Sequence, residues 1–114
     1  MKTNSAAAIN PQKAIEWINR QSAHVIDIRD REAFRKGHII NSESIEPANV
    51  VTVVTQGKQA EKYKNHPILI VCAAGVSSQK IATELKKEGV ENVAILKGGI
   101  QAWTSADLPL EKKS

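Results

Sequence analysis

One side chain in this 114-residue sequence offers strong nucleophilic chemistry, the single cysteine, Cys72. It opens the run Cys72-Ala73-Ala74-Gly75-Val76-Ser77-Ser78, which lies between the apolar stretch ILIV and the helical pattern QKIATELKKEG. Small side chains at these positions let backbone N–H groups turn toward the sulfur, and Gly75 accepts a positive φ that Val or Lys would resist. The helix that follows presents unpaired amides and the positive end of its dipole, which together favour an anion and lower a thiol pKa. A thiolate held this way is a nucleophile that faces a nest of donors. The competing reading is a strand-terminal Cys serving as a small core hydrophobe, and Cys72 alone does not separate the two. Ser77 and Ser78 add hydroxyls at the end of the run, as donors to an anion or as plain helix N-caps.

Other chemically capable residues are Asp27, Arg29 and His38, which invite a Cys-His-Asp triad. Nothing in their spacing brings His38 to Cys72. Asp27 and Arg29 are expected to hold loops by hydrogen bonds, and His38 to fix the turn Gly37-His38-Ile39. A lone thiol excludes an internal disulfide, and His24, His38 and His66 lack close ligand spacing, so neither a metal nor another cofactor is expected.

The elements that must position Cys72 follow from local pattern. Asn10 and Pro11 read as N-cap and first helical position of a helix over about 11–21. HVIDI (24–28) reads as a strand, and Asp30 caps a short helix, REAFRK, which Gly37 stops as its C′ residue. The segment SESIEPANVVTVV is ambiguous; a brief strand near 43–45 with helical pieces near 47–53 and 56–64 fits it best. ILIVC is continuously apolar, as a central parallel strand covered on both faces should be, and Cys72 is its last residue. A helix runs from Ser77 or Ser78 to Glu88, where Gly89 ends it; VAIL (93–96) is another buried strand, and GGIQAW turns into a last helix. Both ends of the chain read as frayed. Trp17 and Trp103 read as core.

Strands alternating with helices predict an α/β fold, a three-layer sandwich with a central, mostly parallel sheet flanked by helices, in one domain over 1–114 with its core at about 10–110. Ligands of such sheets lie beyond the carboxyl ends of the strands, where Cys72 stands. Hydrophobic residues at 41% and charged residues at 25% give the balance of a globular protein. The net charge of +4 comes from cations scattered among twelve carboxylates, without a recognition motif or an aromatic platform, so no nucleic-acid partner is expected. Mild basicity favours an anionic substrate. No apolar run approaches a spanning helix and the start lacks a secretory pattern, so membrane insertion is not expected and the cytoplasm is the default location, an upstream anchor being the alternative.

Three segments, in order, resemble the rhodanese family as a single-domain member. VIDIRDREAFRKGHI is similar to its strand, Asp-x-Arg and Gly-His-Ile segment; ILIVCAAGVSS to its strand and six-residue active loop; VENVAILKGGIQAW to its closing strand, Gly-Gly and Ala-Trp ending. The resemblance implies the rhodanese-like sandwich and sulfur transfer. Cys72 would attack the outer sulfur of a small anionic donor such as thiosulfate and hold it as a persulfide cradled by residues Ala73, Ala74, Gly75, Val76, Ser77 and Ser78. The sulfur then passes to cyanide or a thiol, with a protein among the candidate acceptors. The sequence departs from the family in two places. Ser77 stands where many members have Arg, which bears on donor preference, and Ile39-Ile40-Asn41-Ser42 replaces the usual Ile-Pro-Gly-Ala, where Asn41 tolerates a left-handed turn. Two other functions stand beside this one. A Cys-based phosphatase needs an Arg six positions beyond the Cys, where Ser78 stands; a binding or redox-sensing module would keep the fold without turnover. Surface residues carry no partner code from which an oligomeric state follows.

Overall fold

The computed structural model describes residues 6–112, built on one five-stranded sheet in the order β1-β5-β4-β2-β3. In chain order the elements are β1 (Ala7–Ile9), α1 (Pro11–Gln21), β2 (His24–Asp27), α2 (Arg31–Lys36), β3 (Glu43–Ser44), α3 (Val50–Gln56), β4 (Ile68–Val71), α4 (Ser77–Lys87), β5 (Val93–Leu96) and α5 (Gly99–Ser105). Single 3-10 turns at Pro47–Asn49 and Ala60–Tyr63 flank α3. Every strand pair is parallel, with His24 opposite Ile68, Ile68 opposite Val93, Ala7 opposite Ala94 and Ile26 opposite Glu43.

A parallel sheet needs cover on both faces, and the period of two along each strand supplies it. Ile26, Ile68, Ile70, Cys72, Val93 and Ile95 point to one side, where Val50 and Val54 of α3 and Ile81, Ala82 and Leu85 of α4 close over them. Val25, Leu69, Val71, Ala94 and Leu96 point to the other, under Ala14 of α1 and Ile100 and Trp103 of α5. The adjacent strands β4 and β5 therefore send their following helices to opposite faces. Their carboxyl ends thus form a switch point, the position where open α/β sheets hold ligands.

Local chemistry sets the helix starts. The Asn10 side chain accepts from the Lys13 amide at 2.8 Å ahead of Pro11, and the Asp30 side chain accepts from the Ala33 amide at 2.8 Å. Asn41 adopts the left-handed conformation, φ 67°, in the turn that replaces Pro-Gly. Several expectations need correction. Ala7–Ile9 forms an edge strand on β5, where a frayed end was expected; three residues are too few for a periodic signal, and only the ladder to β5 reveals them. The ambiguous segment keeps only two strand residues and breaks into a 3-10 turn and a short helix ending at Gln56, because Pro47 and Gly57 interrupt the pattern. Gly37 does stop α2, but as its C-cap and not as C′, in an extended conformation, φ 174°; a Cβ there would approach Leu110 Cδ1 to 3.1 Å.

The loop after β2 is held by a buried ion pair. Asp27 is 1% exposed and receives Arg29 Nε at 3.1 Å, one terminal guanidinium nitrogen at 2.8 Å and the Arg29 amide at 3.0 Å. The same terminal nitrogen donates to the Gly37 carbonyl at 2.6 Å, which ties the two ends of α2 together. His38 is buried against Phe34, ring on ring at 3.9 Å, with Nδ1 donating to the Phe34 carbonyl at 2.8 Å and Nε2 3.4 Å from Glu111. Removing one member of a buried pair strands the other charge. Asp27→Ala is therefore expected to destabilise the fold by about 3 kcal/mol in urea unfolding followed by circular dichroism; a loss under about 1 kcal/mol would show that Arg29 finds other partners.

Candidate functional site

β4 ends at Val71, so Cys72 is the first residue beyond the strand and not its last; its own carbonyl is already turned to α5. Its side chain continues the inward alternation of Ile68 and Ile70, which leaves the residue 5% exposed. The chain then loops through Ala73 to Val76 and enters α4 at Ser77. Gly75 adopts φ +87°, and its amide donates to Cys72 Sγ at 3.1 Å. The Ser78 hydroxyl lies 3.3 Å from the same sulfur; it accepts from the thiol and donates once the thiol is ionised.

These contacts decide the charge of the site. Burial pushes the Cys72 thiol pKa up, but the Ser78 hydroxyl and the amides of Ser78, Gly75 and Ala74 together outweigh it, and the net direction is down. The sulfur is thus poised toward thiolate without a cationic side chain in the loop.

The loop residues divide by environment. Ala73, Ala74 and Ser77 are exposed, and Val76, at 78%, is the most exposed large apolar residue described, while Ser78 is fully buried. Neither serine caps the helix. Val76 occupies the N-cap position without a side-chain bond, Ser77 is the first helical residue, and Ser78 is one position further in, with its hydroxyl on the sulfur. The capping reading of Ser78 is thereby corrected: a fully buried hydroxyl requires a partner, and its partner here is Sγ.

The loop is braced from β5 by residues not singled out as site residues. The amides of Ile100 and Gln101 donate to the carbonyls of Cys72 and Ala73 at 2.9 and 3.1 Å, so the first turn of α5 grips the start of the loop. Gly99 makes this approach feasible: with φ +61°, a Cβ on it would overlap the Cys72 carbonyl oxygen and stand 2.6 Å from the Ala73 carbonyl carbon. Gly75 meets the same segment, since its Cβ would lie 2.8 Å from the Gly98 amide nitrogen. The signal in the sequence was the Gly98-Gly99 pair after a buried strand; what it lacked was the knowledge that β5 borders β4. Asp27, Arg29 and His38 are not brought to the sulfur. The first two bond each other and Gly37, and both ring nitrogens of His38 are engaged by Phe34 and Glu111. Among the described residues there is no group of three or more His, Cys, Asp or Glu able to hold a metal, and no helix is long and apolar enough to cross a membrane.

If Gly75 holds an amide on the sulfur, a branched side chain there must displace it, whereas an exposed neighbour is free to change. Gly75→Val is expected to lower the alkylation rate of Cys72 at neutral pH by about tenfold, and Ala74→Gly by less than about twofold. Equal rates for the two variants, with both folded, would contradict the geometry.

Residues 10–106 match the family model described as a rhodanese-like domain. The uncharacterized protein YibN of Escherichia coli is 34% identical over 108 residues, 95% of this chain and 74% of YibN. Thiosulfate sulfurtransferase GlpE of Pseudoalteromonas translucida is 35% identical over 98 residues, 86% of this chain and 89% of GlpE. Among solved structures, a thiosulfate sulfurtransferase from Pseudomonas aeruginosa superposes with a TM-score of 0.80 at 20% identity over 95% of this chain, which spans 20% of that longer one. A rhodanese-like domain from Anabaena gives 0.76 at 23% identity over 92% of this chain and 78% of its own. These two likenesses are likenesses of fold.

Proposed function

The chain belongs to the rhodanese-like domain family, and on that premise we propose that it is a sulfurtransferase that moves sulfane sulfur from a small anionic donor such as thiosulfate to cyanide or a thiol, through a persulfide on Cys72. The observation that carries the reading is the sulfur itself: the only cysteine, held by the Gly75 amide at 3.1 Å and the Ser78 hydroxyl at 3.3 Å just beyond the carboxyl end of β4.

In the first half-reaction the Cys72 thiolate attacks the outer sulfur of thiosulfate. An Sγ–S bond forms, the S–S bond of the donor breaks, and sulfite leaves with the electron pair. The persulfide keeps one negative charge, on a sulfur one bond further out. In this reading loop residues Ala73 to Ser78 would cradle that sulfur with their backbone donors. In the second half-reaction cyanide or a thiolate attacks the outer sulfur, the Sγ–S bond breaks, and Cys72 returns to thiolate while thiocyanate or a new persulfide departs. No oxidant or reductant is consumed and no cofactor enters the balance. A phosphoryl transfer would need the bidentate grip of a guanidinium, and the buried hydroxyl of Ser78 occupies that place in the loop.

Intact-protein mass spectrometry after exposure to thiosulfate tests the reading. The wild-type protein is expected to gain the mass of one sulfur, lost again on addition of cyanide; Cys72→Ser is expected to gain none and to have no turnover. Sulfur uptake or turnover by Cys72→Ser would overturn the assignment.

The loop also sets donor preference. Ser77 is exposed at the start of α4 and offers a neutral hydroxyl to a dianion. A charge-assisted bond is worth ~1.5–3 kcal/mol when shielded, and solvent at this open position removes much of it. Ser77→Arg is expected to lower KM for thiosulfate several-fold, with the gain shrinking as salt is added. An unchanged KM at low ionic strength would mean that charge at this position does not govern donor use.

A further inference from the structure

We infer that Ser78 is a catalytic residue of the transfer, whose hydroxyl holds the inner sulfur, Cys72 Sγ, and stabilises it as the leaving thiolate when an acceptor removes the outer sulfur. The inference rests on the sulfurtransferase reading and gives Ser78 a role distinct from cradling the donor.

Ser78 is 0% exposed, six residues beyond Cys72 and in the first turn of α4, with its Oγ 3.3 Å from Sγ. At this depth no solvent competes for the hydroxyl, and the contact is lost only if α4 or the loop moves. A serine hydroxyl both donates and accepts, whereas the Gly75 amide, 3.1 Å from the same sulfur, only donates. The two donors therefore act differently through the cycle. Toward a protonated thiol the Ser78 oxygen accepts, and toward a thiolate its proton rotates onto the sulfur. With sulfur loaded, Sγ is a two-bonded, nearly neutral atom and a weak acceptor. As the Sγ–S bond breaks, negative charge returns to Sγ, and the hydroxyl proton is already within reach of it. The hydroxyl thus strengthens its bond where charge develops, which is what lowers a barrier.

A donor on the inner sulfur has opposite effects on the two half-reactions. A thiolate stabilised by a hydrogen bond is a poorer nucleophile but a better leaving group. Removing the donor should raise the thiol pKa, which lowers the thiolate fraction at neutral pH. Once pH is high enough to ionise the thiol fully, the remaining effect should be faster loading and slower discharge. A generally damaged loop slows both.

The test measures the two half-reactions separately in wild-type protein, Ser78→Ala and Ser78→Thr, each shown folded by circular dichroism. Thiosulfate loads the persulfide, read by intact mass in a quenched time course, and cyanide discharges it, read as thiocyanate. The Cys72 titration is followed independently by thiolate absorbance. For Ser78→Ala the midpoint is expected about one unit higher than wild type. Above both midpoints, loading is expected about threefold faster and discharge about threefold slower. Ser78→Thr, which keeps the hydroxyl, is expected to lie nearer wild type in both. An unmoved midpoint, or loading and discharge slowed by the same factor at high pH, would overturn the inference. If wild-type protein takes up no sulfur while the Ser78→Ala midpoint still rises, the sulfurtransferase reading falls and the leaving-group role falls with it, which leaves Ser78 as a stabiliser of the thiolate alone.

Discussion

A sulfur atom that is almost wholly withdrawn from water and whose pKa is nevertheless lowered requires donors fixed on it, because burial by itself drives a thiol the other way. Among them are the Gly75 amide at 3.1 Å and the Ser78 hydroxyl at 3.3 Å from Sγ of Cys72, three and six positions further along the chain. To deliver both, the backbone has to curl tightly within the few residues between β4 and α4, and that curl demands a positive φ at Gly75. The curl in turn leaves the carbonyls of Cys72 and Ala73 pointing away from the strand ladder, where they need partners of their own. The amides of Ile100 and Gln101 fill that need, and Gly99 is what permits α5 to come so near. The sulfur's environment thus depends on two segments far apart in sequence and adjacent only through the pairing of β4 with β5.

The sheet explains why that pairing is available. β4 is the middle strand of five, its four residues buried on both faces, and neither of its neighbours can shift register without moving a whole set of side chains to the wrong face. α4 descends on one face and α5 on the other, and the loops that lead into them meet beyond the strand ends, where the Ile100 and Gln101 amides hold the Cys72 and Ala73 carbonyls. The Asp27–Arg29 pair and the stacked Phe34 and His38 hold the β2 loop and α2.

Much of this was legible in the sequence for definite reasons. ILIV and VAIL announce doubly covered strands, Asn10-Pro11 and Asp30 announce helix starts, and a cysteine followed by small residues and a helix announces an anion-stabilising loop. The matches missed were those that only tertiary contact defines. Three residues of β1 carry no period, and the glycine at 37, which does stop α2, shows only in the fold that it also faces Leu110. Ser78 reads equally as a donor to the anion or as a helix cap, because Ser is a common N-cap; its helical phase relative to Cys72, which aims the hydroxyl at the sulfur, is set by the loop and not by any residue preference. The bracing by α5 was hidden for the same reason, since strand order does not follow chain order.

The folded loop, and no feature of the free side chain, lowers the pKa of Cys72. Its most direct measurement is the pH dependence of iodoacetamide alkylation, which reports a single site because the chain has a single cysteine. In the native protein the midpoint should fall below the ~8.5 of an unperturbed thiol, and in urea-unfolded protein it should return to about that value. A native midpoint equal to or above the unfolded one would mean that burial prevails over the Gly75 and Ser78 donors, and would contradict the account.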